Sequence, residues 1–223
     1  MEKSRSETAE GMAYRLIIKL ILNHSYKPGE LILEGDLTQK LGISSTPVNK
    51  ALNRLIAEGF LEKRRKRGCF IPLPTPQDAK EVFFARMGIE GLIAYSVTIN
   101  ATDVDITNIR ETISREEEAI RSRQKGKELY ASLNERFHMG LADMCGNSYL
   151  KRSARYLFWR SNVYIFFFDS FYKESNSKLD VQLKPNQHTE ILEAIIAGDP
   201  QNAEAIMRKH VMRSYREITT PIP

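Results

Sequence analysis

Apolar residues recur at three- and four-residue spacing along most of this 223-residue chain, which predicts helices nearly throughout. Met12, Leu16, Ile17, Leu20 and Ile21 form one such stripe, over about Glu7–Asn23, ended by Pro28-Gly29. A short helix over about Glu34–Leu41 carries Leu37 and Leu41 on one face, and Gly42 suits its left-handed C-terminal cap. The next helix spans about Ser45–Glu58. It is expected to be capped by serines, and Pro47 is tolerated in its first turn, which has no intrahelical N–H bonds to lose. Phe60–Glu62 and Cys69–Ile71 read as two short strands around the basic run Lys63–Arg67.

Pro72, Pro74 and Pro76 mark a stiff linker. Beyond it no strand-like alternation occurs. Helical patterns cover about Pro76–Thr98, Asp103–Gln124, Lys127–Met144, Ser148–Tyr172, Lys184–Ala197 and Pro200–Glu217. The expected fold class is therefore mainly α. A winged helix-turn-helix domain with a small β-wing (7–72) leads through a linker (73–76) to an all-α six-helix bundle (77–219). Within that bundle, Trp159 and Phe166–Phe168 read as core.

Charge sharpens the division. Residues 1–75 hold 13 Lys+Arg against 8 Asp+Glu, whereas the remaining 148 hold 20 of each. The whole excess of +5 lies in the N-terminal third, as expected if only that part meets a polyanion. No run of about 18 apolar residues suggests a membrane span, and the polar N-terminus lacks a signal-peptide core. The two cysteines, Cys69 and Cys145, suit a reducing cytoplasm.

A helix that enters the major groove needs a polar N-terminal tip and an apolar back. Ser44, Ser45, Thr46 and Asn49 form such a tip, and Val48, Leu52, Leu55 and Ile56 form the back. Lys50 and Arg54 reach either phosphates or solvent. Arg65 and Arg67 lead into Gly68, where a wing would turn beside the phosphates. Cys69 beside that glycine raises the idea of a redox switch.

Three of the four histidines, His138, His188 and His210, fall on expected helices of the second domain. Asn134 lies four residues before His138, on the same helix face. Three imidazoles and an amide oxygen facing one cavity suit a divalent transition metal with open positions. Hydrogen-bonded core or surface histidines are the alternative.

Two sets of residues resemble the GntR family of transcription regulators, FadR subfamily. The first is PGELILEGDLTQKLGISSTPVNKALNRLIAEGFLEKRRKRG (Pro28–Gly68). The second is LNERFH (Leu133–His138), QHTEILEAIIAGD (Gln187–Asp199) and AIMRKH (Ala205–His210). The resemblance implies a cytoplasmic homodimer that binds a double-stranded DNA operator and responds to a small-molecule effector. Many relatives carry arginines where Ser45 and Asn49 stand here, so a different operator is expected; asparagine pairs well with adenine. A metal-binding subset uses Asp or Asn with three histidines at the positions of Asn134, His138, His188 and His210, and zinc or nickel suits those nitrogens. There the metal helps hold a small carboxylate. Arg86, in FFARMGIEG, matches a family arginine that could pair with such a ligand, and its other reading is an ion pair with Glu90. Tyr130, Asn162 and Tyr164 are further candidates for the effector cavity.

Two other functions compete. A metalloenzyme fused to a DNA-binding domain lacks a clear general base, since Glu135 and Glu190 face away from the neighbouring ligands. A regulator that binds a larger apolar effector without metal would leave the histidine trio without a role.

Overall fold

The computed structural model describes residues 7–73, 75–122, 127–172 and 187–219, with the side chains of 127, 128, 130, 166–172 and 219 outside that description. The chain divides into two compact units, with the boundary between Leu73 and Pro74.

The first unit contains α1 (Ala9–Leu22), β1 (Leu31–Ile32), α2 (Glu34–Leu41), α3 (Ser45–Ala57), β2 (Glu62–Arg64) and β3 (Gly68–Phe70). Thr8 caps α1 by accepting from the Gly11 N–H at 3.1 Å. Gly42, at φ 65°, closes α2 in the left-handed conformation. Ala13, Ile17 and Ile21 of α1 are buried with Leu37, Val48, Leu52 and Leu55, which makes the core of a three-helix domain. Burial of each large aliphatic side chain contributes roughly 1.5–3 kcal/mol. Ile56, expected on the buried back of α3, is only half-buried.

Three expectations change here. The first wing strand runs over Glu62–Arg64 rather than Phe60–Glu62, because Phe60 and Leu61 turn into the core instead of pairing. The second lies one residue earlier than expected, at Gly68–Phe70, and pairs on its other edge with β1, a two-residue strand too short to leave a pattern. Ser44 occupies the N-cap of α3, but its hydroxyl makes no capping bond, so serine capping does not hold. The wing turns through Lys66 at φ 59° and Gly68 at φ 106°. At Gly68 a Cβ would also meet Leu31 Cδ1 at 2.8 Å, so the position requires glycine.

The second unit holds α4 (Pro76–Asn100), α5 (Asp103–Arg121), α6 (Lys127–Met144), α7 (Ser148–Tyr172), α8 (Gln187–Ile196) and α9 (Pro200–Thr219). The expected stretches 123–124 and 184–186 lie outside the described residues. Thr75 caps α4 with Pro76 in its first turn, and Thr102 and Asp105 form a reciprocal capping box on α5. Phe83, Phe137, Phe158, Trp159 and Tyr164 are fully buried, so Trp159 is core as expected. The side chains of Phe166–Phe168 lie outside the description.

By length and a mean hydropathy of 1.4 over its most apolar window, α4 could cross a membrane. Its charged Arg86 and Glu90 are buried within the bundle, and it packs chiefly on α9 and α7, which marks it as the central helix of this unit. Contact with α9 is close at Gly91, where a Cβ would stand 2.8 Å from Arg208 Cγ.

Candidate functional site

On the first unit, Ser44, Ser45, Thr46, Asn49 and Lys50 are all exposed at or near the N-terminal end of α3, while Val48, Ala51, Leu52 and Leu55 anchor its back. With no capping bond to hold it, the Ser44 hydroxyl is open to a ligand. Arg54 turns inward. Its guanidinium stacks over the Tyr14 ring at 4.0 Å and pairs with the buried Glu58 at 3.1 Å, and Glu58 also accepts from the Tyr14 hydroxyl. Arg54 thus ties α3 to α1.

In the wing, Arg64 folds back over Phe70 and pairs with Glu62, whereas Arg65, Lys66 and Arg67 are exposed beside Gly68. The Cys69 thiol is pushed up to about 11, chiefly by burial, which removes the thiolate a redox switch needs.

On the second unit, His138 of α6, His188 of α8 and His210 of α9 come together. One ring nitrogen from each lies within 4.8 Å of the others. His138 Nε2 and His210 Nε2 stand 3.3 Å apart, and His188 Nε2 is buried with no hydrogen-bond partner among the described residues.

Each ring's Nδ1 faces an acceptor. Glu116 of α5 takes His188 Nδ1 at 2.7 and 2.9 Å, and Gln187 Oε1 takes His210 Nδ1 at 2.9 Å. Glu90 Oε2 lies 2.6 Å from His138 Nδ1, without the in-line geometry of a hydrogen bond. A carboxylate only accepts, so in its bond to Glu116 the His188 Nδ1 carries the proton, and the Gln187 amide oxygen asks the same of His210 Nδ1.

Burial, partly countered by Glu90, holds His138 down at about 4, and burial with its histidine neighbours holds His210 well below the usual value. Burial alone would raise Glu90, but Arg86 and His138 outweigh it and bring the carboxyl to about 2. Held neutral, His138 and His210 bring their Nε2 atoms together beside His188, an arrangement that a cation between them would satisfy. Two nitrogens bound tetrahedrally to one zinc at about 2.0–2.1 Å sit roughly 3.3 Å apart, the spacing of His138 and His210, with the His188 nitrogen within 4.8 Å of both.

Asn134, buried one turn before His138, lies on the same face of α6. Arg86 is 2% exposed and pairs with Glu90 at 2.6 Å and Ser161 at 2.9 Å, so the ion-pair reading of this arginine is realised. Asn162 donates to the Phe158 carbonyl, leaving its buried Oδ1 without a partner among the described residues; the buried Tyr164 hydroxyl is likewise unpartnered among them. The Tyr130 side chain lies outside the description. Sequence reading missed Glu116, Gln187 and Ser161. The only signal available was that Gln187 adjoins His188.

A helix-turn-helix with a basic wing, on one chain with a helical domain built around a buried polar site, defines a ligand-responsive DNA-binding transcription regulator. The chain belongs to the GntR family: the model described as "Bacterial regulatory proteins, gntR family" matches residues 9–71, and the FCD domain model matches 81–213. This is a family of regulators rather than enzymes. The chain is 24% identical to the HTH-type transcriptional repressor GlaR of Escherichia coli K12, covering 94% of this chain and 92% of that one. It is 28% identical to the Uxu operon transcriptional regulator of the same organism, covering 88% and 81%. An uncharacterized HTH-type regulator of Bacillus subtilis, YdhC, is 30% identical, with the match spanning 62% of this chain and 61% of YdhC. The solved structure of E. coli McbR/YncC superposes with a TM-score of 0.71 at 18% identity over 94% of this chain and 98% of that one, a likeness of fold alone.

Proposed function

We propose that the helical domain holds one divalent metal ion on His138, His188, His210 and Asn134, and that a small carboxylate effector completes its coordination to control operator binding. The convergence of three histidine ring nitrogens, with Nδ1 of His188 and His210 bonded to acceptors and Nδ1 of His138 beside Glu90, carries this reading. Nitrogen ligands favour zinc or nickel. The unpartnered Asn162 Oδ1 and Tyr164 hydroxyl offer polar anchors for an effector, and the buried Arg86 charge favours an anion. Elemental mass spectrometry of untagged protein is expected to find about one zinc or nickel per chain and none in His138→Ala. An equal metal content in both would refute the assignment.

On DNA, Ser44, Ser45 and Asn49 face the bases, Thr46 and the Gly68 turn lie near the phosphates and the groove wall, and Lys50, Arg65 and Arg67 track the backbone. Replacing Arg65 and Arg67 together with alanine is expected to weaken all DNA sequences alike. The slope of log affinity against log salt should flatten by roughly 0.9 for each phosphate that is no longer neutralised. A change confined to particular bases would place these arginines in the groove instead.

The operator-bound form is a homodimer. Phe84, Leu92 and Ile99, 66%, 46% and 60% exposed, share one face of α4 with Gly88. Exposed Tyr149 and Tyr156 extend this apolar surface on α7, beside a groove lined by Ile89, Arg152 and Leu157. Sedimentation velocity should show twice the chain mass, reduced to one by Phe84→Asp with Leu92→Asp. A wild-type monomer at operator-binding concentrations would rule this out.

A further inference from the structure

Glu34, the first residue of α2, reaches across to the recognition helix. Its Oε2 accepts from Asn49 Nδ2 at 2.6 Å, and Asn49 Oδ1 in turn accepts from Asn53 Nδ2 at 2.7 Å. Asn49 and Asn53 are exposed and one turn apart on α3; Glu34 is half-exposed beside them. The carboxylate orients the whole row, because it only accepts. The Asn49 amide must turn its NH₂ toward Glu34 and its oxygen toward Asn53, which must then present its own NH₂. Neither amide is free to flip, so the edge offered to DNA has a fixed polarity, with Glu34 as its acceptor end.

We infer that Glu34 is a specificity-determining residue that selects adenine or cytosine, and excludes guanine and thymine, at one base position in each half-site. In the major groove adenine and cytosine present exocyclic NH₂ groups that a carboxylate accepts from. Guanine presents O6 and N7 and thymine presents O4, acceptors that would face the carboxylate with no proton between them. Discrimination here comes as much from rejecting the wrong base as from binding the right one. Asn49 is the positioning partner, held by Glu34 rather than searching among rotamers. This rests on α3 being the reading helix.

The test is selection of binding sites from random duplex DNA by the full-length protein, followed by affinities for single-base variants of the selected site. Wild type should enrich adenine or cytosine at one position per half-site, with guanine there at least tenfold weaker. Glu34→Gln keeps an acceptor for Asn49 and adds a donor for guanine O6 or N7, so the guanine penalty should fall to threefold or less while other positions keep their preferences. Glu34→Ala should broaden preference at that position and at the one read by Asn49. A Glu34→Gln protein that binds every sequence more tightly by the same factor would overturn the inference, since Glu34 would then only repel phosphates. So would an unchanged base profile. If Asn49→Ala also leaves affinity and profile untouched, the failure lies with α3 as reader rather than with Glu34.

Discussion

Arg86→Met should lower the unfolding free energy by about 3–5 kcal/mol, the usual effect of stranding a buried charge by removing its partner. Arg86 and Glu90 are each 2% exposed, and Arg86 is the largest influence holding Glu90 ionised. Methionine keeps most of the volume but leaves Glu90 facing only His138. A loss of that size corresponds to a Tm drop on the order of 10 °C for a chain of this length. The pH dependence identifies the cause. In the wild type Glu90 titrates near 2, below its unfolded value, so its stabilising contribution is present above about pH 4.3 and is lost as pH falls toward 2. In the variant burial is no longer outweighed, and the gap between the two proteins should close in acid. Arg86→Met combined with Glu90→Gln should regain more than half the loss. A deficit unchanged in the double variant would mean that packing, not charge, is responsible.

Adding zinc to metal-free protein should raise stability by about 4 kcal/mol when free zinc is a thousandfold above its Kd, and His188→Ala should abolish the gain. His188 is the informative choice because its Nε2 is buried and unpartnered among the described residues, so alanine removes a ligand without breaking an existing bond at that atom. The metal-free protein carries its own pH signature. The unfolded chain protonates histidine near 6.5, whereas the folded domain resists protonation of His138 down to about 4 and holds His210 well below its usual value. Through that window the unfolded state binds more protons, so stability should fall as pH drops from 6.5 to 4. Calorimetry across pH, with and without zinc, reads both effects. No zinc-dependent shift at pH 7.5 would exclude a site on these residues.

Legibility followed the range of the interactions. Helix spans were readable because apolar spacing, Gly42 and Pro76 are local signals; α6 and α7 match their expected limits. The wing strands were displaced because Phe60 and Leu61 look like strand residues until the core takes them, and β1 is defined only by its partner β3. At the site, the histidines and Asn134 stood out by residue type and helical spacing, helped by the family resemblance. Glu116 could not stand out within the charged stretch SREEEAIR, since its link to His188 spans 72 positions in the chain. Glu34 was equally silent: its bond to Asn49 exists only because α2 and α3 cross.

Gly91 shows how the site can be lost without touching a ligand. It follows Glu90 directly, and it lets α9 approach at Arg208, two residues before His210. A methyl group there would meet two carbons of Arg208, at 2.8 and 3.2 Å, and Glu204 Cγ at 3.2 Å, so these side chains, or the helix that brings His210 to His138, would have to shift. If the helix gave way, a descendant with alanine at this position would keep all four proposed ligands in its sequence, and pass any motif search, while the histidine cluster opened. Within such lineages, metal dependence can disappear through drift at a residue that never touches the metal.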